Sequence, residues 1–141
     1  QVASEQICTS STPVQISGTG GQLDFVMGTC LANDKRGKSV LALYSTYKDT
    51  SRIVPLLGTG TNVTIPRSLT QYVATEWGVV NLKGLSNTDR AHALISIAHP
   101  NFRDSLYRDA YEKKIMSYGA TLKTRQAIPG LVYHSEYSSL G

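Results

Sequence analysis

Apolar and polar positions along the chain predict short strands interleaved with helices. Residues 14–16 alternate and predict a strand, which runs into a glycine-rich turn at residues 17–21. Beyond the turn, apolar side chains recur at the spacing of one helix face. These side chains are Leu23, Val26, Met27 and Cys30. The first segment is therefore predicted to be a strand, a glycine turn and a helix.

The middle of the chain carries four more strand candidates. Residues 40–44 are continuously apolar, which is typical of a strand covered on both faces. The others are residues 52–57, where Pro55 restricts a strand to an edge or an end, and residues 63–65 and 72–74. The pattern does not determine the order of the strands in a sheet.

Two helices are predicted after these strands. Ser86 and Asp89 form a variant of the capping box at the start of the first, and Pro100 is expected to end it. The second begins near Phe102, with Gly119 as its expected C-terminal cap. Strands interleaved with helices indicate an α/β domain.

Length and charge narrow the class of protein. The 141 residues fit one domain with a hydrophobic core. No apolar run approaches the ~20 residues needed to cross a bilayer, and the polar residues 1–12 predict no signal peptide. The first residue is Gln rather than Met, so either the start was removed or this is a piece of a longer chain.

The net charge of +4 is modest, and no basic stripe interleaved with aromatics indicates nucleic-acid binding. The densest basic cluster, Lys35, Arg36 and Lys38, is either a solvated loop or a contact with a phosphorylated ligand.

Cysteine and histidine positions predict no metal site. Cys8 and Cys30 form no CxxC pair; a disulfide between them stays open, although two free thiols in a cytosolic protein are favoured. The three histidines lack metal-ligand spacing. His92 and His99 are interpreted as structural, with His99 expected to cap the last carbonyls of its helix.

The glycine turn is the first candidate for chemistry. A turn that opens a helix presents backbone N–H groups and partial positive charge to a phosphate, a carboxylate or an oxyanion. Gly20 and Gly21 would let such a ligand approach the backbone, or they serve only a tight turn. The spacing matches neither a dinucleotide fingerprint nor a P-loop.

Glu76 is the second candidate. It follows a predicted strand, at a position where charged residues of α/β folds often line the ligand crevice. Trp77 beside it would lower the local dielectric and raise the pKa of the carboxyl group. The alternative is an ordinary surface glutamate in a turn.

Three motifs in order resemble the acetyl-CoA hydrolase/transferase family. Residues 16–25 resemble its GxGGQxDF signature, residues 75–84 its TE(Y/W)GVAxLRGK signature, and residues 90–103 its RARALIxIAHPxFR segment. Shorter matches lie at residues 51–55 and 63–67, and the latter is most similar to the 4-hydroxybutyrate and butyryl-CoA:acetate transferase branch. The resemblance covers roughly the first 106 residues.

The resemblance implies a CoA-transferase-like C-terminal domain, an α/β fold built on an open sheet with helices on its faces. It implies transfer of coenzyme A between an acyl-CoA and a short-chain carboxylate through a glutamyl-CoA thioester, with the nucleophilic glutamate outside this chain. Glu76 would be a second active-site carboxylate, Gly21 an N–H donor to the acyl oxygen, and Gly20 the residue that keeps the turn open.

The same resemblance sets expectations for the whole protein. Residues 1–118 would form the C-terminal domain and residues 119–141 an irregular tail. Acyl-CoA and a carboxylate are expected as substrates, with no tightly bound cofactor. The N-terminal half of the enzyme and a second copy are the expected partners. Hydropathy, charge pattern and cysteine usage predict a cytoplasmic protein with no membrane or nucleic-acid partner. The alternatives are a non-catalytic CoA-binding or assembly module and an acetyl-CoA hydrolase.

Overall fold

The computed structural model describes residues 20–59, 61, 63–117 and 128–136, which contain three helices and six strands. The helices are α1 (Gln22–Leu31), α2 (Asn87–Ser96) and α3 (Pro100–Glu112). The strands are β1 (Val40–Ala42), β2 (Thr46–Tyr47), β3 (Thr50–Ser51), β4 (Tyr72–Thr75), β5 (Gly78–Asn81) and β6 (Leu131–His134). The predicted strand at residues 14–16 and the predicted cap at Gly119 lie outside the described residues.

Four strands form one open mixed sheet in the order β1-β4-β5-β6. β1 runs parallel to β4, with Val40 opposite Tyr72 and Ala42 opposite Ala74. β4 and β5 form an antiparallel hairpin in which Thr75 pairs with Gly78, and β6 adds antiparallel to β5. The fold class predicted from the sequence, an α/β domain with an open sheet, is confirmed.

The core lies between this sheet and α2, and a second cluster joins α2 to α3. The first cluster combines strand and helix residues, namely Val73, Val80, Leu82, Ala93 and Ile97. The second consists of Ile95, Ala98, Leu106, Ala110 and Met116. Ile53, in the loop after β3, packs against both clusters and so fixes that loop to the body of the domain.

Local capping sets where the two central helices begin. Ser86 Oγ accepts a hydrogen bond from the backbone N–H of Asp89 at 3.2 Å, which confirms the predicted cap of α2. His99 was expected to bond the last carbonyls of α2, and this is wrong. Its Nδ1 instead accepts from the N–H of Asn101 at 3.3 Å and caps the start of α3, where Pro100 occupies the first turn.

Two predicted strands do not form. Residues 52–57 and the described residues of 63–65 are turns and loops, with Val54 and Leu56 exposed. Pro55 and Pro66 lack the N–H that a sheet ladder needs, and their rings hold the chain in turn conformations. Strand-like composition therefore predicted more regular structure here than the backbone can form.

The expected irregular tail contains a strand. β6 lies within residues 119–141 and is anchored by His134, whose buried Nε2 lies 2.8 Å from the Ser96 carbonyl oxygen. Glu136 pairs with Arg103 at 2.7 Å. The tail prediction is wrong for these residues, because cross-strand pairing with β5 supplies the partners that local sequence does not reveal.

Two apolar surfaces are more exposed than their patterns predict. On α1 only Val26 is buried, Leu23 is half-buried, and Met27 and Cys30 are exposed, while Phe25 is 80% exposed. β1 is an edge strand rather than a strand covered on both faces. The apolar pattern of both elements lacks cover from the described residues.

The described residues contain neither a membrane-spanning helix nor a cluster of metal-binding side chains. Within the described ranges, no helix has both the length and the apolar character that crossing a bilayer demands. In that same part of the chain, no group of three or more His, Cys, Asp or Glu side chains is arranged to hold a metal ion. Cys30 carries a free thiol, and Cys8 lies outside the described residues.

Candidate functional site

Glu76 lies at the tip of the β4–β5 hairpin, directly after the last residue of β4. Because β1 and β4 are parallel, their carboxyl ends reach the same edge of the sheet. The N–H of Leu43 donates to the carbonyl oxygen of Ala74 at 3.0 Å and extends this pairing beyond β1. The residue two positions further along, Ser45, is thereby carried to the side of Glu76.

Ser45 holds the Glu76 carboxylate with two hydrogen bonds. Its backbone N–H donates to Oε2 at 2.9 Å, and its hydroxyl donates to Oε1 at 2.5 Å. Ser45 is fully buried, whereas Glu76 belongs to the exposed residues. The carboxylate is therefore bound on its inner side and open on its outer side, in a fixed orientation.

These hydrogen bonds decide the protonation of Glu76. Burial is the largest single influence and raises the pKa of the carboxyl group. The side-chain and backbone bonds from Ser45, a bond from its own backbone N–H and the nearby charge of His99 together outweigh burial, and the pKa of Glu76 is lowered. The expectation that Trp77 would raise this pKa is wrong, because hydrogen bonds to the charged form dominate over the low dielectric.

The hairpin tip is tied to the junction between α2 and α3. Thr75 Oγ1 donates to the carbonyl oxygen of Ile97 at 2.6 Å and accepts from the N–H of Trp77 at 3.1 Å. The Trp77 ring meets the His99 ring edge to face, with centroids 5.3 Å apart. Contacts on both sides of Glu76 therefore fix the backbone that presents it.

A groove of about 930 Å³ opens in front of Glu76. It is lined by Gln22 at the start of α1, residues 40–44 of β1 and its exit, Arg52, and residues 74–76. The structure thus brings the N-terminal end of α1 and the Glu76 carboxylate to one cavity. Gly20 and Gly21 directly precede Gln22 in the chain, but they are not themselves among the lining residues.

Gly21 is the N-cap of α1, and no side chain among the described residues forms a capping hydrogen bond at this end of the helix. Its φ of −88° is open to any residue, and an added Cβ would meet only the Phe25 ring, at an ordinary contact distance of 3.5 Å. Within the described part of the chain, neither backbone strain nor packing requires glycine here. A helix N-terminus without a side-chain cap suits an anion or an oxyanion.

His92 and the basic loop at residues 35–38, which the sequence also raised, do not line the groove in front of Glu76. His92 is buried, with its Nδ1 3.5 Å from the hydroxyl of Tyr107, and burial lowers its pKa. In the basic loop, Arg36 bonds Asp34 at 3.2 Å and Lys38 lies 5.9 Å from the centre of the Tyr72 ring.

Sequence reasoning missed Ser45 and Arg52. Ser45 follows an apolar run and lies in none of the matched motifs, whereas Arg52 lies in the short match at residues 51–55, to which no role in the site was assigned. The signal for Ser45 was its position, since a polar residue directly after the strand at residues 40–44 belongs at the sheet edge where Glu76 was expected.

The fold and the site define a class of protein: an α/β domain that presents an oriented, ionised carboxylate beside a helix N-terminus. The sequence profile of the acetyl-CoA hydrolase/transferase C-terminal domain matches residues 1–110. The chain belongs to this family, of which it carries the C-terminal domain.

Similar proteins of known name belong to the branch of the family that contains the 4-hydroxybutyrate and butyryl-CoA:acetate transferases. The chain is 51% identical over 116 residues to the butyryl-CoA:acetate CoA-transferase of Anaerostipes caccae, covering 78% of this chain and 26% of that protein. It is 50% identical over 107 residues to the 4-hydroxybutyrate coenzyme A transferase of Clostridium kluyveri, covering 74% of this chain and 24% of that protein. The chain thus spans about a quarter of the length of these relatives.

The crystal structure of RipA from Yersinia pestis superposes with a TM-score of 0.63 at 45% identity, covering 69% of this chain and 22% of that one. The crystal structure of a 4-hydroxybutyrate CoA-transferase from Porphyromonas gingivalis superposes with a TM-score of 0.54 at 41% identity, covering 68% of this chain and 23% of that one.

Proposed function

We propose that this chain is the C-terminal domain of an acyl-CoA:carboxylate CoA-transferase that moves coenzyme A to a short-chain carboxylate. The observation that carries the proposal is the shared groove, which is lined both by Gln22, the first residue of α1, and by Glu76. The names of the relatives and the family supply the chemistry that such a groove would serve.

The reaction would use a glutamate supplied by the rest of the enzyme. Its carboxylate oxygen attacks the acyl carbon of the thioester, the C–S bond breaks, and an acyl-glutamyl anhydride and CoA thiolate result. The thiolate attacks the glutamyl carbon, releases the acyl carboxylate and leaves a glutamyl-CoA thioester. An incoming carboxylate reverses these steps to give the new acyl-CoA, which makes the kinetics ping-pong.

Glu76 acts as the second carboxylate of this site. Because Ser45 keeps the pKa of Glu76 low, Glu76 is the member of the pair that stays ionised. Two close carboxylates push one pKa upward, and here the raised pKa belongs to the nucleophile. Glu76 thereby positions the nucleophile and limits its charge until a substrate enters.

The glycine turn stabilises charge on the acyl oxygen. Gly21 supplies a backbone N–H at the positive end of α1, and Gly20 leaves room for the approach. Support comes from Gly21 itself, since the described residues impose no need for glycine there. A ligand that approaches the backbone closely accounts for it.

The uncovered apolar side chains of α1 and β1 are where the N-terminal half of the enzyme packs. Phe25 on α1 is 80% exposed and Val40 on β1 is 52% exposed, and the chain is about a quarter of the length of its relatives. We further propose a homo-oligomeric, cytoplasmic enzyme that holds no tightly bound cofactor and takes coenzyme A as a substrate.

Borohydride trapping tests the route. Full-length enzyme treated with acyl-CoA and then borohydride should lose activity irreversibly, because hydride reduces the glutamyl carbonyl to an alcohol and releases CoA. Enzyme given borohydride without acyl-CoA is the control and should stay active. Equal activity in both samples would contradict a glutamyl thioester.

Acceptor dependence separates the alternative activities. A transferase releases its acyl-CoA product only when a carboxylate is supplied, whereas a hydrolase releases free CoA in water alone. A full-length protein that binds CoA and does neither would be a binding or assembly module.

A further inference from the structure

We propose that Arg52 is the carboxylate-binding residue of the groove, an inference that rests on the transferase function proposed above. Arg52 lines the same groove as Glu76 and the start of α1. No motif in the sequence assigned it a role in the site.

The backbone of Arg52 is fixed relative to Glu76. The β2–β3 hairpin turns the chain back on itself, and the N–H of Arg52 donates to the carbonyl oxygen of Ser45 at 2.8 Å. Ser45 therefore holds Glu76 through its N–H and hydroxyl, and holds Arg52 through its carbonyl group. On the other side, Ile53 packs into both apolar clusters. The backbone that carries the Arg52 side chain is thus held in a fixed place beside Glu76.

The guanidinium group of Arg52 has no partner within the part of the chain that the structure describes. It forms no hydrogen bond, ion pair or ring contact with any described residue, and Glu76 is bound by Ser45 instead. The side chain is half-buried. Among the described residues, the groove therefore contains one oriented carboxylate and one cation that is not paired with it.

The ligand that fits this arrangement is a carboxylate. Guanidinium binds carboxylate through two parallel hydrogen bonds, and the pairing strengthens where water is partly excluded. A carboxylate that enters beside ionised Glu76 meets repulsion, which a cation at Arg52 offsets. Because Arg52 and Glu76 share Ser45 as a neighbour, Arg52 lies at the reacting end of the groove.

Two carboxylates meet this description, the acceptor substrate and the nucleophilic glutamate of the rest of the enzyme. Ping-pong kinetics of full-length enzyme distinguish them. In Arg52→Met, loss of the substrate contact should raise the KM for acetate about tenfold or more and leave the KM for acyl-CoA within about twofold. Loss of the contact with the nucleophile should instead slow formation of the enzyme–CoA thioester about tenfold or more, at unchanged acetate KM.

Arg52→Lys should restore part of the acetate KM or of the rate of thioester formation, whichever Arg52→Met impairs, because lysine keeps the positive charge but lacks the bidentate guanidinium donors. Arg108→Met, an exposed arginine on α3, is the matched control and should behave as wild type. If Arg52→Met fails to fold, Arg52→Lys and Arg52→Gln are measured by the same kinetics. A wild-type KM for acetate together with a wild-type rate of thioester formation, in a folded variant that lacks the guanidinium, would overturn the assignment. A wild-type enzyme without transferase activity would instead refute the proposed function.

Discussion

Ser45 and Glu76, 31 positions apart in the chain, are joined by two hydrogen bonds of 2.9 and 2.5 Å. The pair exists because β1 and β4 are parallel and end at the same edge of the sheet. Its effect is to hold one carboxylate oriented and ionised at the mouth of a groove.

Replacing Glu76 with Ala should lower turnover of the full-length enzyme about tenfold or more, less than the roughly hundredfold or more of a direct acid–base group, because Glu76 acts by positioning the nucleophile. The steady-state rate of acyl-CoA formation measures this. Glu112→Gln, an exposed glutamate at the end of α3, is the control. Full activity in Glu76→Ala would remove Glu76 from the site.

Replacing Ser45 with Ala should move the acid limb of the kcat/KM profile to higher pH. The Ser45 hydroxyl stabilises charged Glu76, so its loss makes the carboxyl group easier to protonate and raises its pKa. The pH profile of Ser105→Ala, which lacks only an exposed hydroxyl on α3, should match wild type. An unmoved acid limb in Ser45→Ala would mean that this bond does not set the protonation of Glu76.

The same pair should make unfolding pH-dependent. The folded pKa of Glu76 lies below its ordinary value of 4.5, so the stabilisation is present above pH 4.5 and is lost as pH falls through the folded pKa. Chemical denaturation between pH 6 and 3 should therefore show a shallower loss of stability in Ser45→Ala than in wild type. Parallel curves for the two proteins would contradict this linkage.

Replacing Gly21 with Ala should separate activity from stability. The free energy of unfolding should change by about 1 kcal/mol or less, because among the described residues the new methyl group meets only the Phe25 ring. Activity should fall tenfold or more, since a displacement of about 1 Å at a reacting centre can cost about a hundredfold. Gly28→Ala, in the exposed middle of the same helix with open space around it, is the control.

Replacing Gly84 and Gly130 with Ala should distinguish the cost of backbone strain alone from the cost of strain combined with a steric clash. Gly84 and Gly130 both have positive φ, of 78° and 68°. A Cβ at Gly84 meets open space, so Gly84→Ala should cost about 1 kcal/mol of unfolding free energy. A Cβ at Gly130 would clash with the carbonyl oxygen of Asn81, and Gly130→Ala should cost about 3 kcal/mol. Equal losses, measured by chemical denaturation, would show that β6 is not held against β5 as described.

Local signals predicted the elements that are stabilised locally. The capping pair Ser86 and Asp89 located the start of α2, and apolar spacing located α1 and α3, because these signals act within one or two turns. They failed at residues 52–57, where β-branched composition predicted a strand that Pro55 and the core contacts of Ile53 turn into a loop.

By itself the sequence determined the α/β class, the position of Glu76 at the end of a strand and, through its motifs, the family. Only the tertiary structure decided that Ser45 binds Glu76, that the pKa of Glu76 is lowered, and that β6 completes the sheet. The physical reason is distance along the chain: a motif records neighbours in sequence. Pairing of β1 with β4 and of β5 with β6 joins residues that no local pattern relates.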